Sequence, residues 1–297
     1  MKVAITGSSG LIGTALTKSL LADGHSVVRM LRNTKGSDGS PLHWDPARGE
    51  LDPKGLEGVD AVVHLAGAGI LDKRWTDARK KELLDSRVLS TSLLADTLAS
   101  MGSPPPAFLS GSAIGWYGER VNQVCTEISQ PGEDFLAGLC SAWEAATEPA
   151  KTAGIRVVHL RTGLVQSTEG GMLAKTLPLY KLGLGGRLGS GGQWWSWISI
   201  ADEIGAIRFL LEGEVGGPVN LTAPEPVTNL EYTRTLGAVL GRPTLIPTPM
   251  LGPRLLLGSE AAQTLVESQR VIPRVLEDAG YQFAYPTLDP ALRALLG

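Results

Sequence analysis

The chain contains, at residues 6–13, the stretch Thr6-Gly7-Ser8-Ser9-Gly10-Leu11-Ile12-Gly13, and this stretch decides the fold. It follows an apolar run at residues 3–6, a predicted strand, and opens the helical pattern Leu11–Ala22. Glycines between a strand and a helix are typical of a dinucleotide-binding turn, although the spacing here is GxxGxxG rather than GxGxxG. An ordinary strand-to-helix turn is the alternative interpretation.

In a phosphate-binding turn, each of the three glycines meets a steric requirement that a larger residue would not. Gly7 permits a tight turn, Gly10 lets the backbone approach a pyrophosphate, and Gly13 lets the helix pack close to the strand. The helix N-terminus offers free N–H groups and a positive dipole end to the phosphates. The predicted cofactor contacts of this turn are therefore Gly7, Ser8, Ser9, Gly10, Leu11, Ile12 and Gly13.

The end of the second predicted strand, Ser26–Leu31, indicates which dinucleotide binds. An NAD site places an acidic residue about 20 positions further on, to hold the ribose 2′-hydroxyl. Here the strand is followed by Arg32, Asn33 and Thr34, without an acid. Because a guanidinium can bind a 2′-phosphate in a bidentate pair, we predict NADP (NADPH) rather than NAD. A solvated loop arginine is the alternative.

Short apolar runs alternate with helical patterns over the first 165 residues. Further strands are predicted at residues 61–65, 107–110 and 156–160, and helices at 75–100 and 134–153. Such alternation predicts an α/β fold, a doubly wound parallel sheet of the NAD(P)-binding Rossmann type. After residue 222, short helical patterns broken by prolines predict a small, mostly helical C-terminal part.

Composition narrows the class of protein. The 297 residues are 43% hydrophobic and 19% charged, with a net charge of −3, which is ordinary for a globular protein and favours no nucleic-acid partner. Two cysteines and four scattered histidines predict neither a disulfide framework nor a metal site. No apolar run approaches the roughly 20 residues of a membrane span. With no targeting segment, we expect a cytoplasmic protein without membrane contact.

Further blocks follow the glycine turn in a recognisable order. They are HLAG at 64–67, SGSAIGWYG at 110–118 and LRTGLV at 160–165. Together the blocks resemble the extended, epimerase/dehydratase branch of the short-chain dehydrogenase/reductase superfamily. FLAGLCSAWE at 135–144 and SQRVIPRVLEDAGYQFAYPTL at 268–288 resemble, more narrowly, an atypical epimerase-like family with its own C-terminal domain of unknown function. We expect an NAD(P)-binding domain at 1–220, with its substrate side at 166–220, and the small domain at 221–297.

The resemblance implies further site residues. Leu65, Ala66 and Gly67 would line the adenosine and pyrophosphate, Arg87 the ribose, and Thr162 and Gly163 the nicotinamide. It also implies a homodimer, since relatives in the extended branch often dimerise through helices equivalent to 75–100 and 134–153.

The catalytic pattern of the superfamily is only partly present. Members typically use a Ser with a Tyr and a Lys in a YxxxK helix, where the Lys lowers the pKa of the Tyr that moves the proton. Ser112 fits the Ser position, but YxxxK is absent, and Leu136 and Cys140 align with its Tyr and Lys. Tyr117 is the first candidate replacement, and Glu144, Glu133 and Cys140 are further candidates that rank below it. A packing role for Tyr117 is equally compatible with the sequence.

Two functions remain open on the sequence, beside a third, an interaction scaffold with a vestigial cleft, which would require that the cofactor does not bind. The first is an NADP-dependent oxidoreductase or epimerase that transfers hydride between the nicotinamide and a small carbonyl or sugar-nucleotide-like substrate, with Ser112 and Tyr117 as catalytic residues. The second is an NADP(H)-binding sensor or regulatory protein without turnover, which the missing YxxxK pair favours.

Overall fold

The computed structural model describes residues 1–34 and 41–297. The strands are β1 (Lys2–Thr6), β2 (Ser26–Leu31), β3 (Leu42–Asp45), β4 (Glu50–Leu51), β5 (Ala61–His64), β6 (Ala107–Ala113), β7 (Val124–Cys125), β8 (Arg156–Thr162), β9 (Leu164–Gln166), β10 (Trp194–Trp195), β11 (Trp197–Ser199), β12 (Gly217–Leu221), β13 (Val227–Thr228) and β14 (Arg270–Val271). The helices are α1 (Leu11–Ala22), α2 (Asp77–Ser100), α3 (Phe135–Ala145), α4 (Glu148–Thr152), α5 (Gly171–Lys181), α6 (Ile200–Glu212), α7 (Asn229–Leu240), α8 (Leu251–Leu257), α9 (Ser259–Gln263), α10 (Arg274–Asp278) and α11 (Leu288–Leu296).

The central sheet confirms the predicted α/β class. Its strand order is β12-β8-β6-β5-β1-β2-β3-β4, and every pair is parallel except β3 with β4. The chain winds outward from β1 in one direction through β2 and β3, and in the other through β5, β6, β8 and β12. The order therefore reverses between β1 and β5, which in open α/β sheets is where ligands bind.

Both faces of the sheet are buried under helices. One apolar cluster contains Ile5, Val63 and Leu109 from the strands with Leu16 of α1 and Ile207 of α6. A second contains Ala4, Val62 and Phe108 with Leu94 and Leu98 of α2. Because neighbouring strand residues point to opposite faces, the near-continuous apolar runs are explained by helices on both sides.

Two elements differ from the sequence prediction in ways that affect the site. The predicted helix at 134–153 is two helices, α3 and α4, because Pro149 has no N–H to continue the helical ladder. β6 and β8 run further than predicted, to Ala113 and Thr162. The extended strands carry Ser112 and Thr162 to the carboxyl edge of the sheet.

The C-terminal residues pack closely against the segment that precedes them. A third apolar cluster joins Leu173, Trp195 and Trp197 with Tyr232 and Leu292. The predicted substrate-side segment and the predicted C-terminal domain therefore share one core, and a boundary at residue 220 stays a prediction. Within the two described ranges, no helix combines the length and the apolar character needed to cross a membrane. The homodimer and the cytoplasmic location stay predictions.

Candidate functional site

The glycine turn has the shape expected of a phosphate cradle. Gly7 has a φ of +64°, and a Cβ there would lie 2.7 Å from the carbonyl carbon of Leu65. A Cβ on Gly13 would lie 2.2 Å from the carbonyl oxygen of Gly7. Side chains at these two positions would collide with backbone, so only glycine allows this turn to close against both β5 and α1.

The N-terminus of α1 is left free for an anion. Gly10 is its N-cap, no side chain caps it, and its first turn holds no acidic residue. Ser9 and Gly10 are exposed, Leu11 and Ile12 are half-buried, and Ser8 is buried with its hydroxyl accepting from Arg29 Nε at 3.3 Å. The positive end of the helix dipole therefore meets solvent at a glycine-lined surface that fits a diphosphate.

A buried hydrogen-bond network holds the start of HLAG against β1. The hydroxyl of Thr6 accepts from the backbone N–H of Leu65 at 3.1 Å and of Ala66 at 3.3 Å, so its own proton goes to His64 Nδ1 at 2.6 Å. His64 Nε2 then donates to the hydroxyl of Ser90 at 3.1 Å. Burial, with a nearby guanidinium, lowers the pKa of His64 to about 3, which keeps the ring neutral.

Arg32 lies at the end of β2, on a cleft of about 730 Å³. The cleft is also lined by Trp44, Asp45, Ala66 and Gly67, which brings together Arg32 and two of the predicted cofactor contacts. Arg32 is exposed and makes no hydrogen bond or ion pair within the described part of the chain. Its guanidinium is therefore available to an anionic ligand that enters this cleft.

Arg87 is a buried cation that pairs with no carboxylate among residues 1–34 and 41–297. It is 7% exposed, its Nη1 donates to the carbonyl of Leu83 at 3.1 Å, and its guanidinium lies 5.0 Å from the ring centre of Trp143. Its Nε has no partner within the described residues. Burial lowers the pKa of Arg87 to about 10, so the group is still charged at neutral pH. A Cβ on Gly67 would lie 3.2 Å from the guanidinium, so Gly67 leaves this charge accessible.

Arg87 also lines a small apolar cavity of about 240 Å³. Most of its wall is aliphatic and aromatic, with Ile70, Leu136, Leu139, Trp143, Trp194 and Trp195 among the lining residues. Thr162 and Gly163 line it as well, so these two predicted nicotinamide contacts share one cavity with Arg87. Among the described lining residues, Arg87 and Glu267 carry the only formal charges.

Ser112 does not reach this cavity. It is 5% exposed, and its hydroxyl donates to Glu144 Oε1 at 2.7 Å. Glu144 also binds Arg161 in a bidentate pair, at 2.8 Å to Nε and 2.9 Å to Nη2. Ser112 is thus part of a paired, buried network, and the catalytic role expected from the sequence stays a prediction.

Tyr117 belongs to the same network. It is fully buried; its hydroxyl donates to Asn220 Oδ1 at 2.6 Å and accepts from Arg161 Nη1 at 3.2 Å. Burial raises its pKa to about 12, despite the nearby guanidinium. The structure brings Tyr117 and Ser112 into one network, and neither is among the residues that line the cavity, although residues 113–115 between them are. These contacts are compatible with the packing interpretation of Tyr117, and its catalytic role stays a prediction.

The positions aligned with the missing Tyr and Lys do line the cavity. Leu136 adds an apolar side chain, and Cys140 adds a buried thiol. Burial raises the pKa of Cys140 to about 12, so the thiol keeps its proton at neutral pH. Neither residue replaces an acid–base pair that works near neutrality.

Sequence reasoning missed two carboxyl groups at the site. Glu203 of α6 is fully buried; its Oε1 accepts from the hydroxyl of Thr162 at 2.9 Å, and burial raises its pKa to about 8. Glu267 lines the cavity half-buried, and burial with two acidic neighbours raises its pKa to about 7. No local motif marks either residue, because each reaches the site only through tertiary packing.

The fold and the site define a dinucleotide-binding protein of the Rossmann class. Residues 3–222 match the NAD dependent epimerase/dehydratase family, and the chain belongs to this family. Residues 248–295 match a domain of unknown function, DUF1731. The resemblance predicted from the sequence is therefore confirmed, including the match of the C-terminal residues to a domain of unknown function.

Relatives match over the whole chain. The epimerase family protein Mb2239 of Mycobacterium bovis is 46% identical over 291 residues, covering 98% of this chain and 96% of the relative. The crystal structure of human epimerase family protein SDR39U1 (isoform 2) with NADPH is 36% identical, with a TM-score of 0.91 and coverage of 99% of both chains. A nucleoside-diphosphate sugar epimerase from Corynebacterium glutamicum is 36% identical with a TM-score of 0.82, covering 100% of this chain and 58% of that one.

Proposed function

We propose that the protein is an NADPH-dependent oxidoreductase that acts on a small, largely apolar carbonyl compound. The observation that carries this proposal is the buried, unneutralised charge of Arg87 in the wall of a small apolar cavity. A buried cation is costly unless something pairs with it, and an anionic cofactor beside Gly67 supplies that partner.

The cofactor part of the proposal rests on three cationic or positively polarised features at one sheet edge. The N-terminus of α1 would bind the pyrophosphate, Arg32 the 2′-phosphate, and Arg87 the segment near the nicotinamide ribose. The human relative was crystallised with NADPH, which supports this choice. When bound, NADPH supplies a hydride to a carbonyl carbon.

The substrate part rests on the size and lining of the cavity. About 240 Å³ is small for a ligand site, where roughly 300–1,000 Å³ is usual, and the nicotinamide would occupy part of it. A sugar nucleotide carries a diphosphate that calls for several cations, whereas the described lining offers only Arg87. A compact carbonyl compound with an apolar body fits this wall better than a sugar nucleotide does.

Arg32→Glu tests the cofactor assignment. We expect NADPH affinity to fall at least about tenfold, because a charge-assisted bidentate pair is replaced by repulsion, and NADH affinity to change less than about twofold. The measurement is a titration of each cofactor that follows nicotinamide fluorescence. Arg234→Glu, an exposed site on α7, is the matched control and should leave both affinities unchanged. Equal weakening of the two cofactors by Arg32→Glu would contradict the assignment.

A sensor without turnover is the second candidate function. It is favoured by the burial of Ser112 and Tyr117 in a network that does not line the cavity. A sensor would bind NADPH with the same dependence on Arg32 but would never oxidise it. Incubation with NADPH and small aldehydes, followed by absorbance, separates the two functions.

A further inference from the structure

One wall of the cavity comes from the C-terminal domain. Thr264, Leu265, Glu267 and Gln269 contribute to it. This segment is held by backbone contacts: β14 pairs in parallel with β7, Ser268 N–H donates to Glu119 Oε2 at 2.9 Å, and Arg120 N–H donates to the carbonyl of Ser268 at 2.9 Å. The position of Glu267 is therefore set by the contacts of the residues that directly follow it in the chain.

The carboxylate of Glu267 has no partner in the part of the chain that the structure describes. It makes no hydrogen bond or ion pair with any residue of 1–34 or 41–297. It is half-buried, and it is the only carboxylate among the described residues of the cavity wall. Glu203 does not line the cavity and contacts it only through the hydroxyl of Thr162. A partly desolvated, unpaired acid in an apolar cavity is typical of a group that exchanges protons with a ligand.

We propose that Glu267 is the acid–base residue of this site, in place of the Tyr–Lys pair that the chain lacks, and this rests on the proposed oxidoreductase function. In the reducing direction, the O–H bond of the Glu267 carboxylic acid breaks while an O–H bond forms on the carbonyl oxygen of the substrate. The carbonyl carbon accepts the hydride at the same time, and NADP⁺ and an alcohol result. The Glu267 carboxylate then takes up one proton (hydronium or buffer acid) from solution as the product leaves, so that the net reaction consumes NADPH and one proton.

The surrounding charges suit this role. The charged and titratable groups in the cavity and in the segments that contact this loop include Arg87, Cys140, Glu119, Arg120, Cys125, Asp134, Arg270 and the ion pair of Glu260 with Lys80. Burial first, then the acidic side chains of Asp134 and Glu119, raise the pKa of Glu267 to about 7. Near neutral pH the group is thus divided between its two protonation states, which suits both proton donation and acceptance.

The first test is pH-dependent cofactor binding, which needs no substrate. The oxidised nicotinamide carries a positive charge that the reduced one lacks, so an ionised Glu267 should favour NADP⁺ over NADPH. We expect the ratio Kd(NADP⁺)/Kd(NADPH), measured by calorimetry, to fall about three- to tenfold from pH 6 to pH 8. The 2′-phosphate, which titrates near pH ~6, is common to both forms and cancels in the ratio. Glu267→Gln should give a flat ratio, while Glu277→Gln, at an exposed position of α10, should keep the wild-type slope.

The second test is turnover with benzaldehyde as the probe carbonyl. Glu267→Gln should lower kcat by about a hundredfold or more with KM within about threefold, and Glu277→Gln should leave both unchanged. Full turnover by Glu267→Gln, or a flat ratio in the wild-type protein, would overturn the role of Glu267 and leave the oxidoreductase proposal standing. If the wild-type protein binds NADPH but reduces no benzaldehyde, that result would instead contradict the proposal of a carbonyl substrate, and with it the proposed role of Glu267.

Discussion

Replacement of Glu203 by Gln should stabilise the protein at neutral pH. Glu203 is fully buried, its Oε1 accepts from Thr162 at 2.9 Å, and its Oε2 has no partner among the described residues. Burial penalises the carboxylate and raises the pKa from its ordinary 4.5 to about 8. At pH 7 the folded protein therefore keeps a proton that the unfolded chain releases, so stability is lost as pH rises through this window.

The size of the effect follows from the two pKa values. Between the ordinary pKa of 4.5 and pH 7 there are 2.5 units, and at 1.36 kcal/mol per unit the lost stability is about 3 kcal/mol. Above pH 8 it approaches about 5 kcal/mol, from 3.5 units. Gln keeps the acceptor for Thr162 and leaves one polar group unpaired, as the protonated Glu203 does, so that cost roughly cancels.

Urea unfolding followed by tryptophan fluorescence at pH 5, 6, 7 and 8 measures this difference. Glu203→Gln should exceed the wild-type free energy of unfolding by about 3 kcal/mol at pH 7, and the gap should nearly close towards pH 5. Glu212→Gln, at the exposed end of the same helix, is the control and should change stability little at any pH. A gap of constant size across the pH range, or a less stable variant at pH 8, would refute the reasoning.

The remaining predictions concern His64 and Tyr117. His64 is neutral in the folded state, with a pKa of about 3, whereas the unfolded chain binds a proton there below pH 6.5, so the wild type should lose about 2 kcal/mol of stability from this group between pH 6.5 and pH 5. Urea unfolding at both pH values measures this loss. His64→Gln should lack it, and His43→Gln, at an exposed position, should keep it. Tyr117→Phe should cost about 1–2 kcal/mol of stability by leaving Asn220 Oδ1 without its donor, with NADPH affinity and benzaldehyde turnover unchanged within about twofold. A large loss of turnover at unchanged stability would instead indicate that Tyr117 is a catalytic residue.

The elements around the glycine turn were predictable because their causes are local. The bounds of α1 and β2 agree with the sequence prediction, and β1 begins one residue earlier. The roles of Gly7 and Gly13 followed from the sequence, since a turn that leads from a strand into a dinucleotide-binding helix has few steric solutions. The position of Arg32 at the end of β2 follows from counting along the chain.

The catalytic assignment was not predictable in the same way. Sequence order puts Ser112 and Tyr117 at the carboxyl edge of the sheet, but it does not say which groups surround them. Their partners come from distant elements, namely Glu144 of α3, Arg161 of β8 and Asn220 of β12. Hydrogen bonds formed across the sheet hold both side chains inside the protein.

The sequence by itself thus determined the fold class, the family and the dinucleotide turn, because short-range sterics and apolar periodicity encode them. Only the tertiary structure decided which groups the cavity brings together: an Arg87 with no carboxylate partner among the described residues, a Thr162 whose hydroxyl donates to buried Glu203, and Glu267 of the C-terminal domain. The physical reason is that the charge and protonation of a group depend on its desolvation and its neighbours. Those neighbours are set by long-range packing, such as the pairing of β14 with β7.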